Sequence, residues 1–197
     1  MKKNAAKNGI PEISFENMTM EQYLELQKHF DDPDVYDKAR EAFFKAHPDC
    51  PKPKPIERLD LIMRKEFAKE ILAGTKTVEI RNYTEHYCNR LYDKKVLQYE
   101  EEHWDDELMK LQMIDFNDSV RAVETIHFHD YGKTWYMDVE CIDNNTVLIV
   151  DEQVEQLQEE YDCHEFDEML ADLNAQKATE RPIFFYFAVG KVLGTDL

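Results

Sequence analysis

At 197 residues with 43% apolar content, the chain can form one decorated domain, or one domain with a small helical appendage. No stretch approaches the ~18 to 20 apolar residues of a membrane span, so a membrane partner is not expected. Forty-two acidic residues against 24 basic ones leave a net charge of −18, which excludes indiscriminate binding along nucleic acid, because phosphate would be repelled by most of the surface.

The opening MKKNAAKNG has a charged start but no apolar segment of a secretory signal. Residues 1–17, with Pro11, read as loose. Thr19 with Gln22 three residues on forms a capping box, and Tyr23, Leu24, Leu26 and Phe30 then make one helical face. A second helix is predicted from about Pro33 to Lys45, burying Val35, Tyr36, Ala39, Phe43 and Phe44. Pro48, Pro51, Pro53 and Pro55 cannot continue a helix and favour a stiff, extended linker. Residues 1–55 are therefore expected to be a helical N-terminal extension with a Pro-rich linker, and 56–197 the main domain.

The main domain is expected to open with a strand at Leu59–Met63, a helix at Arg64–Ala73 and a strand at Thr77–Arg81. Tyr83–Asp93 reads as a loop or short helix, and Val96–Tyr99 as a strand. The acidic segment near 100–118 reads as a helical insertion. Val120–His129 alternates as a strand, DYGK (Asp130–Lys133) turns the chain, and Trp135–Ile142 returns. Asn144 and Asn145 suggest another turn before a strand at Thr146–Val150. Helices from Asp151 and over Phe166–Leu173 follow, and Pro182 opens a last strand, Ile183–Val192. Many short strands, with helices near the start and before the last strand, fit a small mixed barrel better than alternating βαβ units.

The densest signal is FAKEILAGTKTVEIRNY, residues 67–83. Helical spacing of Phe67, Ile71 and Leu72 ends at Gly74 and becomes alternation of Thr77, Glu79 and Arg81 against Val78 and Ile80. A regular strand puts Thr77, Glu79 and Arg81 on one face and turns Val78 and Ile80 to a core. Residues 51–81 hold eight basic against five acidic residues, a basic island on an acidic chain. It is either a face solvated by Lys–Glu pairs or a site for an anionic or electron-rich ligand.

The order strand, helix, ILAGTKTVEIR, strands, late helix and last strand resembles the ASCH domain of the PUA-like superfamily, over roughly Ile56 to Val192. The residues that carry it are Gly74, Lys76, Glu79 and Arg81. The resemblance implies an α+β fold, a mixed β-pseudo-barrel flanked by helices, with a cleft beside the motif. It implies a module that binds a nucleotide, a modified nucleoside or RNA, without a cofactor. Some members of the family are amidohydrolases that remove the acetyl group of N4-acetylcytidine. Their lysine matches Lys76, their threonine falls on Glu79, and their late glutamate corresponds to Glu159 or Glu160.

Lys76 beside Gly74 can reach into a cleft. Desolvated it would be a base or nucleophile, whereas beside the Glu79 carboxylate it would be a hydrogen-bond donor. Arg81 offers its fork to a phosphate or a guanine edge, or pairs internally with Glu79. Binding residues are expected to be Lys76, Thr77, Glu79, Arg81 and Tyr83, and the catalytic set of an amidohydrolase Lys76, Glu79 and Glu160. Tyr83, Tyr87, Tyr92 and Trp104 are either base-stacking rings or core packing. His127 and His129 share a strand face but have no convincingly spaced third ligand, and HEFDE at His164 lacks the second His of a zincin; no metal is expected. Four scattered cysteines (Cys50, Cys88, Cys141 and Cys163) suggest reduced thiols and a cytoplasmic location. The N-terminal helices are expected to serve a protein partner or a homodimer.

Overall fold

The computed structural model of the protein describes residues 13–197; the expected loose start around Pro11 lies outside them. The elements run α1 (Met20–Gln27), α2 (Pro33–Ala46), β1 (Ile56–Ile62), α3 (Lys65–Ala73), β2 (Val78–Asn82), α4 (Glu85–Leu91) and α5 (Lys94–Glu102). They continue with α6 (Glu107–Phe116), β3 (Val123–His129), β4 (Tyr136–Leu148), α7 (Asp151–Tyr161), α8 (Asp167–Ala175) and β5 (Ile183–Thr195). The described residues divide into two compact units, 13–52 with 94–119, and 53–93 with 120–197. None of the described helices is long and apolar enough to cross a membrane.

The first unit is helical. Thr19 accepts from the Gln22 backbone while the Gln22 side chain accepts from the Thr19 N–H, so α1 starts in the predicted capping box. Asp32 caps α2, with Pro33 in its first turn where no N–H is needed. Tyr23, Ala39, Phe43, Tyr99, Met109, Met113 and Phe116 form the core. Phe15, in the segment expected to be loose, is buried edge-on against Phe43 and Phe116. Asp115 accepts from Tyr23 Oη and from Gln27 Nε2, tying α6 to α1.

Val96–Tyr99, expected as a strand, lies inside helix α5. Val96 and Tyr99 are three apart and both buried, which suits one helix face, and Lys and Glu flank them. A four-residue apolar run carries no period of its own, so flanking residues and packing decide it.

The second unit is α+β, with an open, mixed five-stranded sheet in the order β1-β3-β4-β5-β2. β1 and β3 are parallel; the other neighbours are antiparallel. One core (Leu59, Leu61, Ile126, Phe128, Met137, Phe185, Phe187) lies on one side of the sheet. A second core joins Val78 and Val147 to Val154, Leu157 and Phe166. Val78 and Ile80 pack with this second core, as the alternation predicts. Opposite them in register, Glu79 faces Phe187 and Arg81 faces Phe185, both on the first-core side.

Backbone pairing does not close the sheet, since β1 and β2 are its edges. Side chains bridge the gap instead. Arg81 donates to the Ile62 carbonyl at 2.8 Å, and Arg90 to the Asp60 carbonyl at 3.0 Å, so guanidinium groups occupy acceptors of an edge strand.

The turn expected at Asn144–Asn145 is absent, and β4 runs through it for 13 residues. The two amides are used differently. Asn144 accepts from Val123 N and donates to the Arg121 carbonyl, and Asn145 accepts from Thr146 N. The strand bends by register shifts between Asp138 and Asp143, as bulges do, rather than by reversing.

Candidate functional site

Helix α3 buries Ala68 and Ile71 and leaves Phe67 and Leu72 at the surface. Gly74 ends it at φ 74°, in the left-handed region that glycine occupies without strain. Its N–H returns to the Ile71 carbonyl, and Thr75 N to that of Glu70. This tight exit brings Lys76 to the mouth of β2, where it meets the residues of its own strand.

The result is a line of alternating charges. Lys76 Nζ contacts the Glu165 carboxylate and lies 3.7 Å from Glu79 Oε2. Glu79 Oε1 lies 2.8 Å from Arg81 Nη2. Glu79 is only 5% exposed. Burial pushes its carboxyl above the ordinary range, although the Arg81 and Lys76 cations pull the other way. Arg81 Nε is buried without a hydrogen-bond partner among the described residues, leaving the cluster an unused donor.

These groups form part of the wall of a cleft of about 1070 Å³. The end of β1, the start of α3, the Gly74 turn, β2 and the β3–β4 hairpin line it, and Glu165 reaches in from the loop before α8. The lining includes four cations (Arg64, Lys65, Lys76, Arg81) and five acids (Glu66, Glu70, Glu79, Asp130, Glu165). It is thus close to electrically balanced, unlike a phosphate-binding groove.

Lys76, Glu79 and Arg81 come together in this cleft. Thr77 does not line it; it borders a smaller hollow of about 300 Å³ with Cys163 and His164, and its carbonyl accepts from Val189 N. Tyr83 packs its ring on Phe185 at 5.2 Å, and Tyr87 and Tyr92 also rest on Phe185. Trp104 belongs to the helical unit, with Lys110 over its ring at 3.4 Å. Glu160 lies on α7 beside another hollow with Asn145 and Tyr186, where Gln156 donates to it. The acid that meets Lys76 is Glu165. Its HEFDE segment reads in sequence as a helix start, and α8 does begin within it at Asp167, which leaves Glu165 in the loop just before the helix. Tyr131 and Trp135 also line the cleft, although DYGK reads in sequence only as a turn.

His127 Nδ1 lies 2.6 Å from Asp138, its ring stacks on Tyr136, and His129 Nδ1 meets the Asp130 carbonyl. No group of three or more His, Cys, Asp or Glu side chains suited to a metal ion occurs among the described residues. Compared with protein-family models, curated proteins and solved structures, the chain matches none of them.

Proposed function

We propose that the second unit is a PUA-like module of the ASCH type and that its cleft binds a nucleotide or modified nucleoside, free or within RNA. The observation that carries this reading is the convergence of Lys76, Glu79 and Arg81 on one cleft, with side chains only 10%, 6% and 20% exposed. Two donors and one acceptor held on a strand and its turn are suited to reading the carbonyl and amine groups of a base edge. The balanced lining favours an uncharged nucleoside over a polyanion. Calorimetric titration with nucleosides, nucleotides and short RNAs is the test. Binding is expected to vanish when Lys76→Ala and Arg81→Ala are combined, and binding that survives both sinks the reading. Affinity for RNA would fall steeply with salt, whereas affinity for a nucleoside would not.

A second reading, an amidohydrolase acting on an N-acylated nucleoside, is favoured by the Lys76–Glu165 contact. That contact pairs the motif lysine with a late acid. Water would add to the acyl carbon as Lys76 or Glu165 takes its proton, and the C–N bond would break as the amine leaves with that proton. Glu79, where the hydrolases carry threonine, would hold the lysine in place. Conversion of N4-acetylcytidine to cytidine, lost in Lys76→Ala, would establish the reaction. No turnover would leave binding alone.

A further inference from the structure

Two aromatic side chains that line the cleft are left open to solvent. Tyr131 is 88% exposed where it borders the cleft. A large apolar side chain left this open is informative when it borders a cleft. Its backbone is firmly held. Asp130 accepts from both the backbone N–H and the hydroxyl of Thr134 at 2.7 Å, and Lys133 N closes the turn onto the Asp130 carbonyl. The ring is therefore presented on a built hairpin.

Phe67 comes from a different element, α3, and is 43% exposed. The Lys76 ammonium lies 5.9 Å from its ring centroid, which links this ring to the polar cluster.

Resting on the nucleoside reading above, we propose that Tyr131 and Phe67 take the two faces of one planar, uncharged nucleobase, while its polar edge meets Lys76, Glu79 and Arg81. Stacking would supply affinity that ignores base identity, and the polar trio would choose among bases. An uncharged ring suits a lining whose four cations and five acids nearly balance. Both aromatics are surface side chains, so replacing them removes the stacking surface without opening the core.

The test uses the full chain with the four ribonucleosides, N4-acetylcytidine and 5,6-dihydrouridine. Dihydrouridine keeps the hydrogen-bonding edge of uridine but loses the flat aromatic ring. Tyr131→Ala and Phe67→Ala are each expected to weaken the best nucleoside about tenfold or more, the usual scale of losing one base–aromatic stack. Tyr131→Phe retains the ring and is expected to bind as wild type does. Dihydrouridine is expected to bind more weakly than uridine. Unchanged thermal midpoints would show that the losses are local. Wild-type affinity in both alanine variants, with binding still lost in Lys76→Ala, overturns the clamp and leaves the nucleoside reading standing. Equal binding of uridine and dihydrouridine also overturns the clamp. Failure of every nucleoside to bind the wild-type protein overturns the clamp together with the free-nucleoside reading on which it rests.

Discussion

Glu79→Gln separates what the buried carboxylate does for ligands from what it does for the fold. Its oxygens lie 2.8 Å from Arg81 and 3.7 Å from Lys76. At an effective dielectric constant of about 20, those separations give gross attractions of about 6 and about 4.5 kcal/mol. Burial opposes both and outweighs them, because the carboxyl remains above its ordinary value of 4.5 with two cations beside it. Ionising Glu79 therefore costs more in the folded protein than in the unfolded chain. Its contribution to stability is fully present below pH 4.5 and is lost as pH rises through the elevated folded value. A neutral glutamine carries no such loss, and Lys76 keeps Glu165 while Arg81 keeps the Ile62 carbonyl. Glu79→Gln is therefore expected to match the wild type or exceed it by about 1 kcal/mol at pH 7. The difference should shrink toward pH 4.5. Urea unfolding from pH 4.5 to 8, followed by Trp135 fluorescence in a Trp104→Phe background, reads the second unit alone, since the chain has two tryptophans. A loss of about 3 kcal/mol or more, as when an indispensable buried ion pair is broken, would refute the reasoning. Nucleoside binding should fall in this variant even as stability holds.

Gly74→Ala is expected to destabilise the second unit by about 1 to 2 kcal/mol through backbone strain at positive φ. A Cβ there meets nothing within 4 Å, so an unchanged thermal midpoint would mean that the left-handed cap is dispensable. In the helical unit, burial, reinforced by the Asp118 charge, pushes Glu100 up to about 7 from 4.5. That displacement corresponds to roughly 3 kcal/mol before screening, and the partly exposed site reduces it to about 1 kcal/mol. The stability is present below pH 4.5 and lost as pH rises through about 7. Thermal midpoints of the wild type should therefore decline between pH 5 and 8. Glu100→Gln should flatten that decline, and parallel profiles would count against the assignment.

The parts of this molecule legible in advance are those whose cause is local. The capping box at Thr19 and Gln22, the left-handed stop at Gly74 and the alternation of Val78 and Ile80 each depend on a handful of adjacent residues. A helix end or a strand face is set by spacing and by one glycine's freedom at positive φ, and both are written in the chain. Even there the burial of Glu79 was hidden. Alternation puts it on the face with Arg81, but only pairing with Phe187 turns that face toward a core.

Elsewhere local pattern is ambiguous and packing arbitrates. Val96–Tyr99 suits a strand or a helix, and burial of Val96 and Tyr99 on one side selects the helix. Asn144 and Asn145 look like a reversal until their amides find Val123, Arg121 and Thr146. The candidate site is the extreme case. Lys76 and Glu165 are 89 residues apart, and Tyr131 reaches the same cleft from a hairpin that reads only as a turn. Such meetings follow from which strand lies beside which and where a loop is carried by the sheet. Periodicity encodes which way a side chain faces along its own element, but not which distant element it will meet.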